Sequence, residues 1–465
     1  MTDRSDSSGR VPDTDPPAVV SPQPRAGGVA HRWRRPKYLI ASALILAVLL
    51  SGSIWFALAS GSSSKTAPAT GPSPAETAAV MQLLEHHATA LTDRDSSAWS
   101  ADLDSAAPAQ DFAAHQREVY TNLTDVPLTV WRYTLVAPVT SPDQIAAAAA
   151  RLGGRVVILH VRLEYALRTV DPQPTAKDLW LTGVRRAGGW KLAGDSDVAQ
   201  AGGASWKGPW DFGPLRTRSG AHTLVLAHPD HFAALATFGD LVERSVPVVT
   251  SVWGSGWNDH VAVLIPDSSA EFAAVTSDSA DTSDLAAVAV ADQVTSTGTV
   301  LGARIVLNPS TLSRLDAAGR RLVVQHELTH IAARAQTSDQ MPTWVIEGFA
   351  DYVGNLGSGQ SVPATAAELA NEVRRGIVPA ALPSTADFGG ANSRLAQVYE
   401  QSWLACRLIA SRAGQSGLVR FYRTVSSTAA GNPDGAVGVG LRDVLHTTPA
   451  AFTLSWKAYL RAELR

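Results

Sequence analysis

Two histidines near position 330 have the spacing that allows side chains to share a metal ion. The segment 325–330 reads Gln-His-Glu-Leu-Thr-His, so His326 and His330 are four residues apart. On a helix this spacing places both imidazoles on one face, one turn apart, and Glu327 between them can reach a water bound to the shared ion. The pattern predicts a zinc-dependent hydrolytic centre, and a buried helix with two hydrogen-bonded histidines is the alternative.

A second segment, 344–352, supplies acidic residues that such a centre needs. Pro342 favours a helix start, and the predicted helix continues to about residue 353. Glu347 is the candidate third ligand. Asp351, one turn later, can accept a hydrogen bond from the far ring nitrogen of a ligating histidine, or it can be an ordinary surface acid. Gly348 is expected to let this helix approach the histidine helix closely.

The two segments together resemble the gluzincin zinc metallopeptidases, particularly the short peptidase-MA-like domains. The second, Trp-x-x-Glu-Gly-Phe-Ala-x-Tyr, is similar to that of the M1 aminopeptidases. The resemblance implies that His326, His330 and Glu347 bind Zn²⁺ and that Glu327 is the general base. It also implies a thermolysin-like domain over residues 216–465, with a small sheet and a helical lower half.

The chain departs from that family in two ways. Only 16 residues, 331–346, separate the second histidine from Glu347, which shortens the connecting loop. No Gly-x-Met-x-Asn-like segment lies upstream, so aminopeptidase activity is not supported. Tyr399 is the candidate donor to a negatively charged oxygen in the reaction, because family members often carry a Tyr followed three residues later by Ser, here Ser402. A tyrosine packed at the edge of the core is the alternative.

Residues 303–308 are predicted to form a strand that ends at Asn-Pro. In gluzincins the strand before the active-site helix is an edge strand that can pair with an extended peptide. The resemblance therefore implies a peptide or protein substrate bound along this strand. An ordinary internal strand fits the same residues.

Composition limits the other possibilities. A chain of 465 residues favours two folded domains with accessory segments, and the mixed pattern of helices and strands predicts an α+β fold. A net charge of −3 gives no reason to expect nucleic acid as a partner. Cys406 is the only cysteine, which excludes an intrachain disulfide and indicates a small core residue.

The N-terminal region has the pattern of a membrane anchor. Residues 1–37 are predicted to be a disordered cytoplasmic tail, and the uncharged apolar residues 38–59 are long enough to form a transmembrane helix. Basic residues precede this stretch, so the rest of the chain is expected outside the cytoplasm. Residues 60–75 form a linker. Secretion after signal cleavage near Ala59 is the alternative.

The region 76–200 begins with helices and continues with long strands that end at a Gly-Gly turn. This order resembles the cone-shaped nuclear-transport-factor-2-like domains. Because no convergent acid and base are evident there, we expect a spacer, docking or regulatory role, with a protein partner as one option. Residues 201–215 are a predicted connector. His228 and His231 could suggest another metal site, but no acidic partner beyond Asp230 is evident, so simple loop histidines are expected.

The sequence as a whole favours a membrane-anchored, extracytoplasmic zinc metallopeptidase. A noncatalytic surface binding or scaffold protein with a retained structural zinc site is the main alternative. The three-ligand pattern with an adjacent base favours the enzyme, since structural zinc sites are normally closed by four protein ligands. Hydrolysis of another amide, such as a cell-wall linkage, would use the same residues.

Overall fold

The computed structural model describes residues 71–276, 286–389 and 392–465. Helices and strands are mixed along these ranges, in agreement with the predicted α+β class. The predicted tail and transmembrane helix, and residues 60–70 of the predicted linker, lie outside the described residues. Within the described ranges, no helix combines the length and the apolar character needed to cross a bilayer.

The first sheet has four antiparallel strands in the order β1-β2-β3-β4, and four helices accompany it. In chain order the elements are α1 (Pro74–Thr92), α2 (Ser96–Ala101), α3 (Gln110–Asn122), β1 (Leu128–Pro138), α4 (Pro142–Leu152), β2 (Val156–Leu167), β3 (Thr175–Arg186) and β4 (Gly189–Gly194).

The second sheet has five strands in the order β5-β6-β7-β11-β8. Its three central strands are parallel, and each edge strand pairs with its neighbour in the antiparallel sense. The strands are β5 (Arg216–Ser219), β6 (Thr223–Ala227), β7 (Val261–Ile265), β8 (Ala287–Val290) and β11 (Arg304–Leu307). A small hairpin, β9 (Gln293–Val294) with β10 (Val300–Leu301), connects the last two.

Helices accompany the second sheet and form the C-terminal part of the chain. They are α5 (Phe232–Trp253), α6 (Ser269–Thr276), α7 (Pro309–Leu312), α8 (Ala317–Ala333), α9 (Thr343–Gly354), α10 (Val362–Thr365), α11 (Ala367–Arg374), α12 (Leu395–Thr428), α13 (Pro433–Leu445) and α14 (Pro449–Glu463). A kink at Gly414, with φ of 75°, divides α12.

The second sheet is buried on both faces, which explains its nearly continuous apolar strands. Strand β7 shows the alternation. Its residues Val261, Val263 and Ile265 pack into the core that contains α5, α8 and α9. Ala262 and Leu264 point the other way, into an apolar core shared with the first sheet. The two sheets are therefore joined by a common hydrophobic interior.

Polar contacts also join the two sheets. Arg304 of β11 makes a two-pronged ion pair with Asp171, at 2.7 and 2.6 Å, and both side chains are buried. Beyond β8, Asp292 accepts hydrogen bonds from Lys177 and from Thr175, both on β3. These contacts bring part of the first sheet to the edge of the second.

Helix α5 is longer than the sequence pattern indicates. The sequence pattern predicts a helix over residues 231–243, but α5 continues through Pro247 to Trp253. Proline removes one helical hydrogen bond and disfavours the interior of a helix. Here Val246, Val249 and Trp253 are buried in the core, and their packing outweighs that local preference.

Candidate metal centre

Three side chains from two helices converge on one point. His326 and His330 lie one turn apart on α8, and their Nε2 atoms are 2.9 Å from each other. Glu347 projects from α9, with Oε2 3.4 Å from His326 Nε2 and 3.6 Å from His330 Nε2. These three residues form a group whose donor atoms are close enough to hold one metal ion.

The chemistry of the group fits a divalent metal. Ligands about 2.0–2.1 Å from a tetrahedral ion are roughly 3.3 Å from each other, and the three observed separations lie on either side of that value. Glu347 is fully buried, and neither of its carboxylate oxygens has a hydrogen-bond partner among the residues described. A buried carboxylate without hydrogen bonds is costly. A metal ion would provide the missing interaction.

Asp351 lies behind one of these histidines. Its Oδ1 is 2.8 Å from His326 Nδ1, and both side chains are buried. Burial lowers the pKa of His326, but the hydrogen bond to Asp351 and the neighbouring Glu347 outweigh burial and raise that pKa well above its usual range. In a neutral imidazole with its proton on Nδ1 towards Asp351, Nε2 would be the atom available to a metal, and it faces His330 and Glu347.

Glu327 is held against the second sheet. It is 1% exposed, and its Oε2 accepts a hydrogen bond of 2.9 Å from the backbone N–H of Ala289 in β8. The charge of Glu327 also raises the pKa of His326, so the carboxylate lies near the group of donor atoms as well as beside the edge strand β8. This position suits a base that acts on a molecule bound along that edge.

Tyr399 of α12 lies close to the acidic side chains of the centre. It is 7% exposed, and its ring packs edge-on against Phe388 with centroids 5.3 Å apart. Burial raises the pKa of Tyr399 well above 10, and the charges of Glu347, Asp351 and Glu327 raise it further. The phenol therefore keeps its proton and can donate a hydrogen bond.

Gly348 determines how closely α9 approaches α12. A Cβ atom at this position would lie 2.4 Å from the carbonyl oxygen of Ser402 and 3.0 Å from Cys406 Sγ. The expectation that Gly348 lets α9 approach the histidine helix is wrong, because the glycine of α9 that lies against α8 is Gly354, whose added Cβ would meet Leu322 O at 3.3 Å.

The edge strand is not the one that the family resemblance indicated. β11, the predicted strand over residues 303–308, pairs with β7 on one side and with β8 on the other. It is therefore internal, which was the alternative interpretation. β8 is the edge of the second sheet next to α8. No local sequence pattern points to Ala289, since a four-residue strand of Ala and Val carries no chemical signal.

His228 is not a simple loop histidine. It is 1% exposed, and its Nε2 lies 3.0 Å from both carboxylate oxygens of the buried Glu271. Burial lowers its pKa, but Glu271 outweighs burial and raises that pKa above the usual value. His231 Nε2 is 3.2 Å from Asp267. Both histidines thus have acidic partners that the sequence analysis did not identify.

A second group that could hold a metal was also missed. It consists of His222, Asp259 and His260, all partly exposed. The sequence signal for this group is the place of each histidine directly before a strand. The two strands are neighbours in the sheet, which brings the histidines together.

Comparisons with known proteins find similarity in structure only. No family model and no curated protein matches the chain. Among solved structures, an M1 zinc metallopeptidase from Deinococcus radiodurans is similar with a TM-score of 0.32 and 15% identity, over 61% of this chain and 58% of that one. A mutant two-domain M1 zinc metallopeptidase bound to L-arginine has a TM-score of 0.32 and 14% identity, with the same coverage of both chains. A mutant M1 zinc metallopeptidase from Deinococcus radiodurans bound to a Tyr-Ser-Ala substrate has a TM-score of 0.31 and 14% identity, over 61% of this chain and 59% of that one.

The chain thus spans less than two thirds of these neighbours. TM-scores of 0.31–0.32 are too low to establish a shared fold.

Proposed function

We propose that this chain is a zinc-dependent metallopeptidase that hydrolyses peptide bonds. The observation that carries the proposal is the buried carboxylate of Glu347, whose two oxygens lack hydrogen-bond partners among the described residues while Oε2 faces two imidazole nitrogens. Three protein donors are typical of catalytic zinc sites, whereas structural sites normally have four. Glu327 beside them supplies the base that a purely structural site does not need.

His326, His330 and Glu347 would hold the ion. Zinc bound in this way supplies Lewis acidity, which polarises a carbonyl group and lowers the pKa of water to about 7. Asp351 keeps His326 in the tautomer that presents Nε2, through the contact of 2.8 Å at Nδ1. Asp351, one helical turn beyond Glu347, would thus orient one of the metal ligands.

Glu327 would accept the proton of the attacking water and pass it to the leaving amine. The N–H of Ala289 fixes one oxygen of this carboxylate at 2.9 Å, so the base has a defined position relative to β8. An extended peptide that adds to the edge of β8 would lie beside Glu327. Tyr399, which keeps its proton, is the candidate donor to the oxygen that becomes negative during the reaction.

Replacement of Glu327 by Gln tests the catalytic assignment. A glutamine can keep the hydrogen bond from Ala289 but cannot accept a proton, so zinc content should stay the same while cleavage of a peptide library falls by about 10²-fold or more. The matched control is Glu118→Gln, since Glu118 is an exposed glutamate of α3. Cleavage that survives in Glu327→Gln would contradict the assignment.

The same experiment separates the competing functions. A parent protein that binds one zinc at this centre but cleaves no peptide would favour the noncatalytic scaffold. Hydrolysis of a cell-wall amide instead of peptides would keep the residue roles and change the substrate class.

We further propose that the chain is anchored in the cell membrane with its folded part outside the cytoplasm. The support is the apolar stretch 38–59 and the basic residues before it. Fractionation of the full chain, followed by protease treatment of intact cells, tests this. Recovery of the full-length chain in the soluble cytoplasmic fraction would contradict it.

A further inference from the structure

The histidine and aspartate side chains at the start of two neighbouring strands form a compact cluster, here called the strand-start cluster (His222, Asp259 and His260). His222 directly precedes β6, and His260 directly precedes β7. The two strands are parallel and adjacent, with Thr223 opposite Val261. The backbone carbonyl of His222 accepts a hydrogen bond of 2.8 Å from the N–H of Val261. The sheet itself therefore places the two imidazoles side by side.

The donor atoms of the cluster lie within metal-binding reach of one another. Asp259 Oδ1 is 3.0 Å from His260 Nδ1, and Asp259 Oδ2 is 3.5 Å from His222 Nδ1. One donor atom from each residue can be chosen so that all three lie within 4.8 Å of each other. The ring centroids of the two histidines are 5.4 Å apart. Two imidazoles and one carboxylate are a donor set that suits zinc and similar divalent transition metals.

One ring nitrogen of the cluster forms no hydrogen bond with the described residues. His222 Nδ1 is buried and has no hydrogen-bond partner within the described ranges, although the ring as a whole is 32% exposed. A polar nitrogen that is shielded from water and forms no hydrogen bond is unfavourable. The same feature marks Glu347 at the first centre.

The backbone around the cluster is held in place before any ion binds. Glu243 of α5 accepts a hydrogen bond of 2.9 Å from the N–H of His222. Asn258 accepts one from the N–H of His260 and donates one of 3.0 Å to the carbonyl of Val170 in the β2–β3 loop. A site whose ligands are already positioned loses little conformational freedom on binding.

We propose that His222, Asp259 and His260 bind a second divalent transition-metal ion, of the zinc class, separate from the centre on α8 and α9. The ion would tie the loop that leads into β7 to the start of β6. None of the three residues touches Glu327 or the α8 ligands in any described contact, so this ion is not expected to take part in the proposed hydrolysis. The proposal does not depend on peptidase activity.

Metal stoichiometry tests the proposal directly. The full chain is stripped with a chelator, loaded with Zn²⁺, dialysed and analysed for zinc per chain. We expect two ions in the parent, one in the double variant His222→Ala and His260→Ala, and one in His330→Ala. Peptide cleavage should persist in the double variant and be lost in His330→Ala. Peptidase activity and binding of the second ion are therefore measured independently of each other.

Two further variants keep the test decisive. Asp259→Asn preserves the loop and weakens a single donor, so it should lose the second ion even if the double variant does not fold. His160→Ala is the matched control, because His160 forms a partly exposed pair with Asp178 at 2.8 Å and should still retain two ions. An Asp259→Asn variant that retains as many ions as the parent would overturn the proposal, whatever the occupancy of the centre on α8 and α9.

Discussion

Replacement of Gly348 by Ala tests how strictly the packing of α9 fixes the metal ligand Glu347. The added Cβ would lie 2.4 Å from the carbonyl oxygen of Ser402 and 2.7 Å from its carbonyl carbon. Both are backbone atoms of α12, so no side-chain rotation can relieve the contact. Non-bonded carbon atoms are comfortable at about 3.5 Å, and the helices would have to separate by about 1 Å.

The size of the effect follows from two opposing contributions. Overpacking of a close contact costs about 1–3 kcal/mol, and the better helix propensity of Ala offsets up to about 1 kcal/mol of this. We expect a net loss of about 2 kcal/mol in the free energy of unfolding. A clash with rigid backbone lies at the upper end of the range of overpacking costs. A ligand has to lie within about 0.2 Å of its proper distance. A shift of α9 by about 1 Å should therefore weaken zinc binding by about tenfold or more.

Chemical denaturation of the metal-free protein gives the first quantity, and zinc titration against a competing chelator gives the second. Gly438→Ala is the matched control, since Gly438 lies within α13 and an added Cβ would meet Pro449 Cγ at an ordinary 3.5 Å. This control should keep parental zinc affinity and be as stable or slightly more so. If Gly348→Ala behaved like Gly438→Ala in both measurements, the packing argument would be refuted.

Three more predictions concern single side chains. Asp351→Asn should weaken zinc affinity by about 10–100-fold, measured by chelator competition, and an unchanged affinity would remove Asp351 from the support of His326. Tyr399→Phe should lower kcat by about 10²–10³-fold with zinc content unchanged, and a parental kcat would favour the packing role. The hydrogen bond from Arg155 lowers the pKa of Glu76 from 4.5 to about 2. The ionised carboxylate therefore stabilises the fold above pH 4.5, and that stability is lost as the pH falls towards 2. Glu76→Gln should be less stable than the parent at pH 7, and the gap should close over that window. An equal gap at pH 7 and pH 2 in denaturation curves would contradict this.

Local spacing explains which parts of the centre could be predicted from the sequence. His326 and His330 are one helical turn apart, as are Glu347 and Asp351, so the period of the helix alone puts each pair on one face. The structure brings the two pairs together across α8 and α9, with the separations of 2.8–3.6 Å described above. Their roles as ligands and support stay predictions.

Long-range pairing explains what could not be predicted. Whether β11 is internal depends on β8, a four-residue strand that pairs with it from across the β9–β10 hairpin. The partner of His228 is Glu271, 43 residues later in the chain. His222 and His260 meet only because β6 and β7 are neighbours. No local pattern carries such information, since each contact depends on the order of strands in the sheet.

The contacts between the sheets bear on the role of the region 76–200. Asp171 and Arg304 form a buried ion pair, and removal of one partner from such a pair costs about 3–5 kcal/mol. Lys177 and Thr175 of the first sheet donate hydrogen bonds to Asp292. Asp292 lies three residues after Ala289, whose N–H donates a hydrogen bond to Glu327. A movement of the first sheet would thus displace the edge strand beside the proposed base. The spacer, docking or regulatory role of the region 76–200 stays a prediction, and these contacts are the reason to expect that it also holds the edge strand in place.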